Sequence, residues 1–205
     1  MKEKNASVDS PENYGNCHTF IAIDPETKLM PCWLVGTRSA RCTQDFISDL
    51  ASRLANRIQL TTDSNRSYPD AVDKAFNGEV DFGMLNKSYA NEHGLKEAKR
   101  CHSPGTMTSS EKLKVFGNPD FKHVYTLHVK RANLSMRMGM RRFTRLTNTF
   151  SKKLENHMHA VSFYFMVYNF VKIHKTIKII PAMETGVTTY LWEVEDIVMM
   201  DTMEQ

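Results

Sequence analysis

What most constrains this chain is a change of hydrophobic period that recurs between His18 and Leu85, where short β-rich runs alternate with segments apolar at helical spacing. His18-Thr19-Phe20-Ile21-Ala22-Ile23-Asp24 predicts a strand and Pro25-Glu26-Thr27 a tight turn. Leu29 to Val35 predicts a second strand that Gly36 ends, so the pair reads as a hairpin. Thr43 to Asn56 places Phe46, Ile47, Leu50 and Leu54 at helical spacing, with polar side chains opposite. Ile58-Gln59-Leu60-Thr61-Thr62 is a further strand, read as central, that stops at Asp63. Ser64-Asn65-Arg66-Ser67 is a turn, Tyr68 to Phe76 a short amphipathic helix, and Val80 to Leu85 one more strand. The order β-β-α-β-α-β predicts a mixed α/β fold and excludes a helical bundle or a sandwich.

The flanks read differently. Residues 1–16 are polar, with Pro11, Asn13, Gly15 and Asn16, and predict a disordered lead-in. Residues 86–122 hold Gly94, Pro104, Gly105, Gly117 and Pro119 with little periodicity, and predict a long irregular insertion. His123 to Leu127 reads as a strand. From Val129 to about His174 the pattern is helical, with a break at Thr147-Asn148, and Leu154, Met158, Val161, Phe165 and Tyr168 mark an apolar face. Pro181 then opens a short stretch with Trp192. The expected organisation is one domain over 17–178, interrupted by the insertion, and a C-terminal tail over 179–205.

Composition narrows the function classes. Hydrophobic residues make up 41% and charged residues 24% of 205, which is ordinary for a globular chain. Ala160 to Ile173, the most apolar stretch, is interrupted by Ser162, Tyr164, Tyr168, Asn169 and Lys172, too often for a membrane span. Met1 to Ser10 lacks the apolar core of a secretory signal, so a cytoplasmic location without a membrane partner is the expectation. Cys17, Cys32, Cys42 and Cys101 form no CxxC pair and read as buried thiols, not as a disulfide framework or a zinc site.

The net charge of +4 is modest, but its distribution is not even. No Asp or Glu occurs from Phe121 to Leu154, while Lys122, Lys130, Arg131, Arg137, Arg141, Arg142, Arg145, Lys152 and Lys153 all do. On one helix Arg137, Arg141 and Arg145 would share a face. Charge runs are usually solvated faces, but those normally mix signs. An arginine stripe without acids suits phosphate, because guanidinium forks match phosphate oxygens and binding releases counterions.

Among the carboxylates, Asp63 stands at the C-terminal end of a strand, where open α/β sheets place their chemistry. An aspartate there is also a common turn former. Two-metal phosphoryl transfer needs several carboxylates converging on the ions. Asp24 closes the hairpin's first strand and suits the turn that follows. His157 and His159, two apart on a helix, point in different directions. His18, His123 and His128 have no ligand-spaced partner, Ser151 and Ser162 lack a base, and the methionines read as core or helix filler.

Several ordered pieces resemble the DDE transposases of the insertion-sequence-one family. They are Thr61-Thr62-Asp63, Asn133-Leu134-Ser135-Met136-Arg137-Met138, Arg141-Arg142-Phe143-Thr144-Arg145-Leu146-Thr147-Asn148, Phe150-Ser151-Lys152-Lys153-Leu154-Glu155-Asn156-His157, Tyr168-Asn169-Phe170, His174-Lys175-Thr176 and Pro181-Ala182-Met183. The resemblance covers roughly residues 17 to 198. It implies a ribonuclease-H-like fold, with flanking helices on a mixed sheet. It also implies an Asp, Asp, Glu triad that uses Mg²⁺ or Mn²⁺ to cut and join DNA at transposon ends. Asp63 matches the second acid and would be its metal ligand.

The glutamate belongs to a Val-Glu-Arg-x-Asn-Leu motif, and this chain reads Val129-Lys130-Arg131-Ala132-Asn133-Leu134, with Lys130 at the glutamate position. The first aspartate lies upstream of a Lys-x-Lys-Asn run, matched by Lys2-Glu3-Lys4-Asn5, so the first strand and its acid are expected to be missing. Glu155 falls too far along the helix to replace the glutamate, and Asp24 suits its turn better than a role beside Asp63. An ammonium cannot ligate Mg²⁺ and repels it. The expectation is therefore a catalytically defective, transposase-derived chain. Its DNA contacts would come from Arg131, Asn133, Arg137, Arg141, Arg142, Arg145, Lys152 and Lys153, and its partners would be DNA and either an intact transposase or a second copy of itself.

Overall fold

The computed structural model describes residues 17–89, 107–143 and 153–200. The lead-in 1–16, the expected break at Thr147-Asn148, and the candidates Arg145 and Lys152 lie outside these residues. The chain divides into two compact units, residues 1–53 with 127–205, and residues 54–126. The architecture is mixed α/β.

In the first unit, β1 (His18–Ile21) pairs antiparallel with β2 (Trp33–Gly36). Both strands are shorter than the apolar runs predict, although the hairpin continues beyond them to a turn that Asp24 begins. The Ala22 amide donates to the Cys32 carbonyl at 3.0 Å and the Asp24 amide to the Leu29 carbonyl at 2.9 Å. In the turn, Asp24 serves two further amides. Its Oδ1 accepts from the Glu26 amide at 3.1 Å and its Oδ2 from the Thr27 amide at 3.3 Å. That is the turn-forming role expected of it. Helix α1 (Ala40–Ser52) starts where Ser39 caps it by accepting from the Cys42 amide, and it buries Phe46, Ile47 and Leu50.

The chain returns to this unit with α3 (Leu127–Gly139), a 3₁₀ turn (Arg141–Phe143), α4 (Leu154–Met166) and a π-helical turn (Val167–Val171). Met30, Val35, Ala132, Met136, Met140, Val161, Phe165 and Tyr168 form its core. Asn169, 3% exposed, reaches from the π turn to the hairpin. Its Oδ1 accepts from the Met30 amide at 3.1 Å and its Nδ2 donates to the Met30 carbonyl at 2.9 Å. One side chain thereby satisfies both backbone groups of a buried residue. Beyond it, α5 (Pro181–Glu184) and α6 (Val194–Met199) follow, with Ile180 and Ala182 fully buried and Trp192 against Phe170 at 4.6 Å between centroids.

In the second unit, β3 (Ile58–Asp63) pairs parallel with β4 (Val80–Tyr89), and β4 antiparallel with β5 (Met107–Phe116). Between them α2 (Tyr68–Phe76) buries Ala71 and Val72, and Asn77 ends it in the left-handed conformation. The expected central position of β3 is corrected: the described order is β3-β4-β5, with β4 in the middle. The reason is burial, since β4 buries Val80 and the run Phe82, Gly83, Met84, Leu85, whereas β3 is at most half-buried along its length.

The irregular insertion is corrected too. Residues 86–89 extend β4, and Met107–Phe116 is its antiparallel partner, with register pairs from Phe82↔Phe116 to Tyr89↔Met107. Most of β5 is exposed, so it has no apolar alternation to read, and Glu111, Lys112 and Lys114 suit an edge strand. After it, Gly117 takes φ +62, and a Cβ there would stand 2.7 Å from the Val80 carbonyl oxygen. The strand expected over His123–Leu127 is replaced by turns and the start of α3. Asp120 accepts from the Lys122 amide through its side chain and from the His123 amide through its carbonyl. Val124 is apolar because it is buried under the sheet, where a Gly83 Cβ would touch it.

Candidate nucleic-acid interface

Helix α3 buries Ala132 and Met136 at an i, i+4 spacing, continued by Met140 just beyond its end. That choice of buried face decides what the other side offers. Lys130, Arg131 and Arg137 are exposed, and so are Leu127, Leu134 and Met138, the last at 80%. Lys130 and Arg137 are two helical turns apart, about 10 Å along the axis. Among the described residues none of Lys130, Arg131 and Arg137 makes an ion pair; the pairs formed are Arg53–Asp49, Arg57–Asp81 and His123–Asp120. Among the described residues the outer face of α3 is thus cationic without an ion-paired acid, interleaved with apolar side chains. Asn133 is half-buried on its flank.

The expected arginine stripe along one helix is corrected. The helix stops at Gly139, and Phe143 donates to the Met140 carbonyl at 3.0 Å in a tighter 3₁₀ turn. Arg141 therefore does not continue the α-helical face of Arg137. Gly139 answers to close packing: a Cβ there would meet the Tyr164 ring at 2.9 Å. Arg142 donates from Nη1 to the Asn156 carbonyl at 3.1 Å, so part of its guanidinium ties the 3₁₀ turn to α4. Phe143 packs on His157 at 5.1 Å, and burial, then the nearby Arg142 charge, lowers the pKa of that histidine. Lys153, exposed, stands at the start of α4.

At the other end of α3, His128 is lowered by desolvation first and by Lys28 second, with Asp24 opposing. His174 is lowered by desolvation, then Lys28 and Lys172. These three histidines of the first unit are thereby biased toward the neutral form, and the positive field rests on lysine and arginine.

Asp63 lies at the C-terminal end of β3, as expected, and is exposed. Its Oδ1 accepts from the Asn65 amide at 3.2 Å, the pattern of a turn former. It belongs to the second unit, whereas Lys130 and the other α3 candidates belong to the first. Glu155 is exposed in the first turn of α4, a helix separate from α3. Among the described residues no group of three or more His, Cys, Asp or Glu side chains converges as a metal ion requires. The described acids therefore do not fit the Mg²⁺ or Mn²⁺ that the resemblance implies.

Two features are not what the sequence suggests. Met138 reads as core or filler, yet it lies at i+7 from Arg131, on the cationic side, and that spacing is available in the sequence. The expectation of buried thiols is also corrected: Cys32 is buried, but Cys17 is exposed and Cys42 half-exposed. Cys17 directly precedes β1, and Cys42 sits in the first turn of α1, and neither is buried. No helix among the described residues is long and apolar enough to cross a membrane. In comparisons with known proteins, no family model, no curated protein and no solved structure matches this chain.

Proposed function

We propose that this chain is a transposase-derived protein that binds duplex DNA through the outer face of α3 and does not cut it. The observation that carries the reading is the set Lys130, Arg131 and Arg137, exposed on one helix and without an acidic partner among the described residues. Cations left uncompensated on a rigid element are suited to a polyanion, since neutralising phosphates releases condensed counterions. The resemblance to insertion-sequence transposases supplies the identity of that polyanion, and the ribonuclease-H-like fold is part of the same proposal. Asp63 at a strand end and the mixed sheet support it.

Loss of cutting follows from charge. Lys130 stands where the family pattern has a metal-binding glutamate, and an ammonium there repels the cation that a carboxylate would hold. A second reading, in which the chain pairs with another copy or with an intact transposase, is favoured by one specific observation. Leu127, Leu134 and Met138 are 65%, 48% and 80% exposed on the same face as the cations. Such side chains at helical spacing suit a helical partner.

Fluorescence anisotropy with duplexes of unrelated sequence tests the first reading. The expected result is similar affinity for each duplex, with log K falling linearly in log salt by about 0.9 for each phosphate engaged. A flat salt dependence, or no binding at low salt, would refute DNA as the partner. In a supercoiled-plasmid assay with Mg²⁺ or Mn²⁺, the chain is expected to leave the plasmid intact. Nicking that Asp63→Ala abolishes would overturn the assignment of Lys130 as a lost ligand.

A further inference from the structure

The cysteines occupy unlike environments. Cys32 is buried, its Sγ donates to Asp49 Oδ2 at 2.9 Å, and desolvation, then that hydrogen bond, pushes its thiol far above the usual range. Cys101 lies outside the described residues. Cys17 and Cys42 are accessible, and both lie at the end of the hairpin where β1 begins and β2 ends. His18 faces Gly36 across the β1–β2 ladder. Cys17, one residue before His18, and Thr37, one residue after Gly36, leave the ladder at the same end. Thr37 Oγ1 lies 3.5 Å from Cys42 Sγ, and that sulfur would be 3.0 Å from a Cβ on Gly36. A glycine at 36 thus lets the Cys42 sulfur lie directly against the strand that pairs with β1.

The surroundings of Cys42 favour a thiolate. It is the third residue of α1, a 13-residue helix with no acid in its first turn, and Arg41 precedes it. Hydrogen bonds with Ser39, then Thr37, lower its pKa against desolvation and Asp45. Cys17 is raised, first by partial desolvation of the thiol and then by the charge of Cys42, in keeping with their place at one end of the hairpin.

We propose that Cys17 and Cys42 form a hydroperoxide-responsive dithiol pair, with Cys42 the attacking and Cys17 the resolving sulfur. The Cys42 thiolate attacks the O–O bond of a hydroperoxide. One oxygen becomes a sulfenic acid on Cys42 and the other leaves as alcohol or water after taking a proton. The Cys17 thiolate then attacks that sulfur and expels hydroxide, which leaves as water after taking a proton, and the disulfide forms. Two electrons pass from the dithiol to the peroxide, so the pair is oxidised and the peroxide reduced. Intracellular disulfides of this kind are usually transient and redox-sensing. The product would tie the start of β1 to the first turn of α1 in the unit that carries α3.

The test uses the full, reduced chain treated with hydrogen peroxide, alkylated and digested without reductant. The expected result is a Cys17–Cys42 linked peptide, with the free-thiol count under denaturing conditions falling from four to two. In Cys17→Ser, dimedone is expected to label Cys42. In Cys42→Ser, Cys17 is expected to stay unlabelled at the same dose. Competitive alkylation of the unmodified chain at neutral pH should modify Cys42 before Cys17, which needs no variant to fold. Four free thiols after treatment, linkage only to Cys101 or between chains, or equal dimedone labelling of both variants would each overturn the proposal.

Discussion

Replacing Asn169 by leucine is expected to destabilise the first unit by about 2–4 kcal/mol, because it orphans two buried backbone groups at once. Met30 is 1% exposed, and both its amide and its carbonyl are served by the Asn169 side chain. Leucine has the same branched outline as asparagine, so the change isolates the polar loss from a cavity. Both tryptophans, Trp33 and Trp192, belong to this unit, so urea unfolding followed by their fluorescence reports it. The midpoint should drop with the slope unchanged. A change below about 0.5 kcal/mol, the range of ordinary surface substitutions, would mean that the π turn does not hold the hairpin.

Phe165→Ala is expected to destabilise the same unit by about 3–5 kcal/mol. Phe165 is fully buried, 5.2 Å from the Trp33 ring centroid and 5.3 Å edge-on to Tyr164. Trp33 is also held by donation from Nε1 to Ser162 Oγ at 3.1 Å, so it cannot readily collapse into the space. Phe163→Ala provides the comparison. That ring is two residues away and 46% exposed, and its removal should cost about 0.5 kcal/mol. Equal losses from the two variants would show that the core does not centre on Phe165.

Much of this core is legible in the sequence. The i, i+4, i+7 spacing of Val161, Phe165 and Tyr168 marks the buried face of α4 and the π turn, and Tyr68–Phe76 is bounded by its own turn chemistry. Local signals carry those elements. The rest is decided elsewhere in the chain. Asn169 looks like any polar helix residue, since its partner Met30 is 139 positions away. β5 has both faces exposed for most of its length, so only pairing with β4 makes it a strand. The apolar Val124 suggests a strand, but a turn at Asp120 buries it instead. The arginine spacing suggests one stripe, whereas the α-helix runs only to Gly139, before Arg141. For the candidate interface, the acid-free window is visible at once. Which cations face outward depends on which side of α3 the core takes, and Ala132 and Met136 decide that.

The most direct test of DNA binding through α3 compares two triple variants of equal charge. One replaces Lys130, Arg131 and Arg137 with alanine; the other replaces Arg66, Lys74 and Lys114, which are exposed in the second unit. Each is titrated against the same set of duplexes across a range of salt. If the outer face of α3 holds the phosphates, the first variant should bind more weakly to every sequence, and its log K against log salt should flatten by about 0.9 for each phosphate no longer neutralised. The second should retain the slope of the unmodified chain. Equal weakening of both would reduce the attraction to net charge alone and contradict the assignment of α3 as the interface.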